Sequence, residues 1–164
     1  MRSRMPRRPF SLLATGALFT GLLGGAVAMA PAASAHGDYP HCQGSWLYER
    51  VGNSDQKVRL PAEVGFSIGI HCYLTNGDGT IQYPLGGVKT LQNALNRCYS
   101  AGLSVDGAFG DKTEDALRRA QSLAGVKVDG EYGPATRQFM KWPTYSDATT
   151  KVTCQQHGSI RRDL

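Results

Sequence analysis

Asp106 and Asp129 stand 23 residues apart, each followed by a Gly. Two carboxylates are the apparatus of glycoside cleavage, one serving as acid and the other as base or nucleophile. These two occupy equivalent places in a repeated segment, and that equivalence assigns them to a structural slot, because Asp-Gly supplies a turn whose Gly takes positive φ. Gly65-Phe66-Ser67-Ile68-Gly69 fits the Gly-x-Ser-x-Gly nucleophile elbow, and a later Asp and His157 complete the order of a triad. That elbow needs a strand, a turn and a helix within a sheet of alternating strands and helices. No helical pattern follows Ser67, so the match is incidental. His36 would become the first residue if a leader were removed before it. Its imidazole and terminal amine would then suit copper, with His41, His71 or His157 as the second imidazole. The chain before residue 87 is too short for the β-sandwich such a site requires. No His-x-x-x-His pair supports zinc. Asn76-x-Asp78-Gly79 begins like a calcium loop, but Leu85 stands where the Glu is needed. No metal and no other cofactor is expected.

The elements that must position these residues begin after an export segment. Residues 1–35 have a basic start (Arg2, Arg4, Arg7, Arg8), an apolar stretch and the small-residue tail Ala33-Ser34-Ala35. This is the layout of a secretory signal peptide, with cleavage expected before His36. Arg7-Arg8-Pro9-Phe10 partly matches a twin-arginine signal, so the export route stays open. The formal charge of +5 on 164 residues is misleading: with those four Arg removed, 14 basic residues face 13 acidic ones. Nothing in that balance points to nucleic acid. Cys42, Cys72, Cys98 and Cys154 all lie after the leader, and four Cys in an exported chain imply two disulfides with three possible connectivities. The preferred pairing is Cys72–Cys98 with Cys42–Cys154, the second of which would staple the two loosely patterned ends together.

Residues 36–86 are rich in Gly, Pro, Asn, Asp and aromatics and show no helical period. A loosely alternating apolar segment between Leu60 and Ile70 suggests one or two strands, and Asn76-Gly77-Asp78-Gly79 is a turn signal. From residue 87 the texture changes. Val88, Leu91, Leu95 and Cys98 recur at three- and four-residue steps, one face of a helix, and Gly102 follows its end. A second helix begins at Asp111, with Glu114 at capping-box spacing and Ala116, Leu117, Ala120 and Leu123 on its apolar side. Gly125 marks its stop. A third helix starts at Pro134, a favoured first position, and carries Phe139 and Met140. The segments 103–113 and 126–136 repeat one pattern: apolar, Asp, Gly, any residue, aromatic, Gly, then a helix start with Thr in its first turn. Phe109 and Tyr132 should fold back as hydrophobic pegs beside the central helix.

Taken in order, Leu91-Gln92-Asn93-Ala94-Leu95, Val105-Asp106-Gly107-Ala108-Phe109-Gly110-Asp111-Lys112-Thr113 and Val128-Asp129-Gly130-Glu131-Tyr132-Gly133-Pro134-Ala135-Thr136 resemble the three-helix peptidoglycan-binding domain of bacterial cell-wall proteins. The resemblance covers roughly residues 74–141. It implies non-covalent binding to wall peptidoglycan, glycan or stem peptide. It departs from the family where the usual Gly-Ser-x-Gly lead-in becomes Gly77-Asp78-Gly79 plus an insertion at residues 80–86. Cys98 at the end of the first helix marks a disulfide-bearing variant. The binding site it implies is a groove beside the two turns, with Asp106, Gly107, Thr113, Asp129, Gly130, Tyr132, Thr136, Arg137 and Trp142 as ligand-binding residues. Gln138 could add a hydrogen bond. Among the surrounding aromatics (Tyr99, Phe109, Tyr132, Trp142, Tyr145), the pegs favour core packing over ligand contact, while Trp142, followed by Pro143, should be partly exposed.

The sequence therefore reads as a mainly α chain. After the signal peptide come a loop-rich, disulfide-tied extension (36–73), a small three-helix peptidoglycan-binding-like domain (74–145) and a C-terminal tail (146–164). The expected protein is a secreted or wall-associated monomer that binds peptidoglycan, is not inserted in the membrane after cleavage and does no chemistry. The rival is a small wall hydrolase with its active site in residues 36–86, built on Glu63, Ser67 or His71.

Overall fold

The computed structural model describes residues 39–50, 53–64, 69–79 and 86–156. The proposed leader and its cleavage point before His36, Ser67 of the Gly-x-Ser-x-Gly segment, Leu85 and His157 lie outside the described residues.

Strands β1 (Gly44–Arg50) and β2 (Asn53–Ala62) pair antiparallel, from Gly44 opposite Ala62 to Arg50 opposite Asn53. Helices α1 (Gly86–Tyr99), α2 (Asp111–Ala124) and α3 (Pro134–Phe139) follow. Strands β3 (Lys141–Ser146) and β4 (Thr149–Gln156) close the described chain, again antiparallel. The two hairpins join through a three-residue ladder, Gln56–Ser146, Lys57–Tyr145 and Val58–Thr144. The result is one four-stranded sheet in the order β1-β2-β3-β4. The expectation of a mainly α chain is overturned by this sheet. The segment read as a loop-rich extension supplies β1 and β2, and the segment read as a tail supplies β4.

The strands follow ordinary rules once their partners are known. In β2, Val58 and Leu60 are buried while Arg59 between them is exposed, the period-two alternation of a half-buried strand. Pro143, opposite Cys154 of β4, falls just beyond the β2–β3 pairing, and Pro61, opposite Ser45 of β1, lies three residues past its Val58 end, so neither proline has to donate to that central ladder. Helix α1 lies on the sheet, against β2, β3 and β1. Its Val88, Leu91, Ala94 and Leu95 join Val58, Leu60, Phe109, Leu117, Tyr132, Met140 and Trp142 in a single core. Each such large apolar side chain contributes roughly 1.5–3 kcal/mol on burial.

Helices α1 and α2 start and stop where the spacing places them, whereas α3 starts at Pro134 as expected but ends at Phe139, so that Met140, expected within it, is its extended C-cap. Gly125, at φ 71°, is the left-handed cap of α2. The capping box is not formed: Gly110 is the N-cap and no side chain caps α2. Leu123 is 78% exposed, because the stripe that α2 buries is Thr113, Ala116, Leu117, Ala120 and Gln121. Those five follow the i, i+3, i+4, i+7, i+8 set, and Gln121 completes it in place of Leu123. Phe139, at the end of α3, is also exposed.

All four cysteines are paired, as Cys42–Cys72 and Cys98–Cys154. The preferred connectivity is thus corrected. Cys98 at the end of α1 meets Cys154 on β4, and Cys42, just before β1, meets Cys72. The second bridge fastens α1 to the far strand of the sheet, and the first joins two stretches of the amino-terminal half.

Candidate functional site

Each repeat turn is built around a buried glutamine amide. Gln92 of α1 is 1% exposed and Gln121 of α2 is fully buried. The Nε2 of Gln92 donates to Asp106 Oδ1 (2.8 Å), the Ala108 carbonyl (3.0 Å) and Thr113 Oγ1 (3.3 Å), while its Oε1 accepts from the Gly107 N–H (2.9 Å). Gln121 repeats the pattern with Asp129 Oδ1 (2.7 Å), the Glu131 carbonyl (2.9 Å), Thr136 Oγ1 (3.1 Å) and the Gly130 N–H (2.9 Å). Asp106 and Asp129 also accept from the backbone N–H two residues on, at 2.9 Å in both cases. That is the side-chain turn in which Asp mimics a backbone carbonyl. Gly107 and Gly130 sit at φ 84° and 78°, the left-handed region that Gly enters at little cost. Both atoms of each buried glutamine amide have partners, as a buried network requires.

The chemistry of Asp106 follows from these bonds. The Gln92 amide and the Ala108 N–H hold the Asp106 carboxyl below its ordinary range. It stays ionised and makes a poor general acid. The hydrogen bonds from the glutamine amides and from the N–H two residues on make Asp106 and Asp129 turn braces.

A third segment ties the two turns together. Leu74 exchanges two backbone hydrogen bonds with Tyr132 (3.0 and 2.9 Å). Gly77 donates to the Phe109 carbonyl (2.9 Å), and Phe109 donates to the Asp78 carbonyl (2.8 Å). Both pegs are thus backbone-paired to residues 74–78, and both rings are buried at 1% exposure or less. The Nδ2 of Asn76 donates to Asp111 Oδ1 and Glu114 Oε2 on the first turn of α2. Arg118 and Asn76 together lower the Glu114 carboxyl below its usual range. Asp78 is buried. Its Oδ2 accepts from the Thr75 N–H (2.7 Å), and its Oδ1 lies 2.7 Å from His41 Nδ1. The other ring nitrogen of His41 meets the Tyr73 hydroxyl, and the two rings are 4.1 Å apart.

A surface hollow opens beside each turn. The first, about 350 Å³, is lined by Leu103, Ser104, Asp106, Ala108, Lys112 and Thr113 among others. The second, about 150 Å³, is lined by Tyr39, Tyr73, Asp129, Glu131, Pro134 and Thr136, with Tyr132 in its floor. Of the expected site residues, Asp106 and Thr113 border the first hollow, and Asp129, Tyr132 and Thr136 the second. Gly107 and Gly130 lie in the brackets themselves. Arg137 turns away: its guanidinium donates to the Ile70 carbonyl. Trp142, expected partly exposed, is fully buried on β3, donates from Nε1 to the Arg137 carbonyl (2.9 Å) and packs edge-on to Tyr132 at 5.8 Å. Burial raises the phenols of Tyr132 and Tyr48 above their ordinary value, while the nearby Arg137 charge opposes the shift. Tyr145 is exposed, and Tyr99 accepts from the Lys141 N–H at 2.7 Å.

The residues of the rival hydrolase are placed apart in role. The Glu63 N–H donates to the Gly69 carbonyl and His71 stacks on Tyr39, while Ser67 is among the undescribed residues. Sequence reasoning missed Gln92 and Gln121 as braces and Tyr39, Tyr73 and Glu131 as walls. The only signal for the first pair was a polar residue inside each apolar helical stripe.

Residues 85–140 match the profile of a domain family described as "Putative peptidoglycan binding domain". The chain is 41% identical over 68 residues to an "Uncharacterized protein in bpoA1 3'region" of Kitasatospora aureofaciens, a span of 41% of this chain and 57% of that one. It is 41% identical over 58 residues to a "Probable N-acetylmuramoyl-L-alanine amidase" of Bacillus licheniformis, a span of 32% of this chain and 16% of the relative. The chain thus covers just over half of one relative's length and a sixth of the other's. No solved structure matches the chain. The family match supports peptidoglycan as the binding partner of the segment that holds both turns.

Proposed function

We propose that this chain is a secreted, monomeric protein that binds cell-wall peptidoglycan and does no chemistry on it. The observation that carries the reading is the paired bracket. Asp106 and Asp129, the two carboxylates at equivalent places in the repeat, hold turns in place, and each turn opens a hollow suited to sugar hydroxyls and peptide amides. Ser104, Asp106 and Lys112 offer hydrogen bonds at the first, and Tyr39, Tyr73 and Glu131 at the second. Tyr132 and Trp142 support the walls from below. Two disulfides fit a protein that works outside the cell, where such bonds persist. The near balance of charge after the leader gives only modest electrostatic steering.

Co-sedimentation of the exported protein with purified peptidoglycan sacculi tests this. The expected result is protein in the pellet and an unchanged turbidity of the suspension. Clearing of the suspension would make the chain a hydrolase instead, and protein left in the supernatant would remove the wall from the account.

A further inference from the structure

A groove outside the two turn hollows runs along the seam between α1 and the sheet. Its walls are Thr90 and Asn93 of α1, Arg59 of β2, and Pro143 and Tyr145 of β3. Arg59, Pro143 and Tyr145 lie outside the span that matches the domain family, so the sheet supplies most of this groove. Its charge is unbalanced. Lys57, Arg118 and Lys127 each face a carboxylate, at 2.6, 2.6 and 3.5 Å. Arg59 does not. Its guanidinium donates to Ser45 Oγ at 3.4 Å, and among the described residues no ion pair neutralises it. Arg97, in the last turn of α1, adds a second positive charge one turn beyond Asn93 on that helix face. Among the described residues no acidic side chain lines the groove. The remaining walls are equally available. The Asn93 amide is exposed, with two donor hydrogens and an acceptor oxygen. Tyr145 shows its ring at 39% exposure beside the buried Pro143.

We infer that this groove receives the terminal carboxylate of a wall stem peptide. The inference rests on the peptidoglycan reading for the source of the peptide, but its chemistry is testable without it. A guanidinium fork matches the two oxygens of a carboxylate, and Arg59 brings that fork with its charge unspent. Asn93 both donates and accepts, as the peptide group behind that carboxylate does. The Tyr145 ring and Pro143 offer apolar surface to a small side chain at the chain end. A volume of about 40 Å³ admits a group of a few heavy atoms and is too small for a sugar ring. A phosphodiester polymer, which only accepts, would leave the Asn93 oxygen to water.

The test titrates the exported protein with three soluble probes, followed by the amide signals of Arg59, Asn93 and Tyr145. One is a stem tetrapeptide with a free terminal carboxylate, the second the same peptide amidated at that end, and the third a glycerol phosphate oligomer. Shifts at these residues with the free-acid peptide, and affinity at least about tenfold weaker after amidation, are expected. Arg59→Gln should abolish the preference for the free acid, and Arg59→Lys, which keeps the charge without the fork, should keep only part of it. Both variants should hold the thermal midpoint within about a degree or two, because the side chain is exposed, and a purely structural role would not give that split. Equal affinity for the two peptides, no response to either, or tighter binding of the glycerol phosphate oligomer overturns the inference. If sacculi still pellet the protein in that case, the wall-binding reading stands and only the groove falls. A response to the free-acid peptide without pelleting by sacculi would keep the groove and remove the wall as its source.

Discussion

Gln92 reaches forward 14 residues to brace the first turn and Gln121 reaches only 8 to brace the second, yet both amides make the same four contacts. Outside those contacts the two regions part. The first turn opens onto a wide hollow with a lysine and a serine at its edge. The second opens onto a smaller one, walled by tyrosines brought from the amino-terminal segment. The lesson is about which demands leave room for variation. A buried donor left without its acceptor costs about 1–3 kcal/mol, so each bracket has to be complete in both places. A solvent-facing wall carries no such penalty, and it is free to differ in size, charge and ring content.

The comparison can be broken at its walls first. Cys42–Cys72 closes a 30-residue separation, and chain entropy alone puts its contribution at about 3.5 kcal/mol. Cys42 and Tyr73 are also linked by a backbone hydrogen bond, as are Tyr73 and Pro40. A Cys42→Ser, Cys72→Ser double variant should lose about that much stability in denaturant titration. Its amide shifts should move around Tyr39, Tyr73 and Glu131 and stay in place around Asp106. Equal disturbance of both turns would show that the second wall is not independently mounted.

The brackets come next. Gln92→Leu and Gln121→Leu each strand a Gly N–H and an Asp carboxylate, and each should cost about 3 kcal/mol in chemical unfolding. Costs differing by more than about 1 kcal/mol would mean the two are not energetic equivalents. A smaller contrast is set by the glycines. A Cβ at Gly130 would meet Glu114 Cγ at 2.7 Å and Arg118 Nε at 2.9 Å, whereas one at Gly107 would meet only the Lys89 side chain, at 3.1 Å or more. Left-handed φ burdens both by about 1–2 kcal/mol, so Gly130→Ala should be the worse of the pair by roughly 1 kcal/mol in thermal melts. Least of all is the acid response. The Asp106 carboxyl is depressed in the folded state, so its contribution is present above the ordinary value of 3.8 and is lost as pH falls through the lower folded value. Asp106→Asn, which keeps an acceptor at Oδ1, should flatten the stability profile below about pH 4. An unchanged acid limb would show that other carboxylates carry it.

What the sequence discloses tracks the range of the interactions. The helices, their glycine stops and the two pegs depend on neighbours a few residues away, and each is legible in apolar spacing and Asp-Gly signals. The sheet is not. Its central ladder joins Val58 to Thr144, and both strands carry a proline that reads as a strand breaker. β4, Thr-Thr-Lys-Val-Thr-Cys-Gln-Gln, is polar because it is an edge with few residues to bury. Trp142 looked exposed for the same reason, since the surface that covers it comes from distant segments. Gln92 and Gln121 were hidden in another way. A glutamine on a helix reads as surface, and only its partners in a later turn reveal it as buried.

The paired backbone of residues 74–78 bears on how this protein can be taken apart. The matched span begins at residue 85, yet the N–H and carbonyl groups of Phe109 and Tyr132 are latched by residues upstream of it. A recombinant cassette cut at that boundary would carry both aromatic wedges without their fastener. The smallest self-sufficient piece has to start ahead of Leu74, and any fusion that borrows this module should inherit those five residues with it.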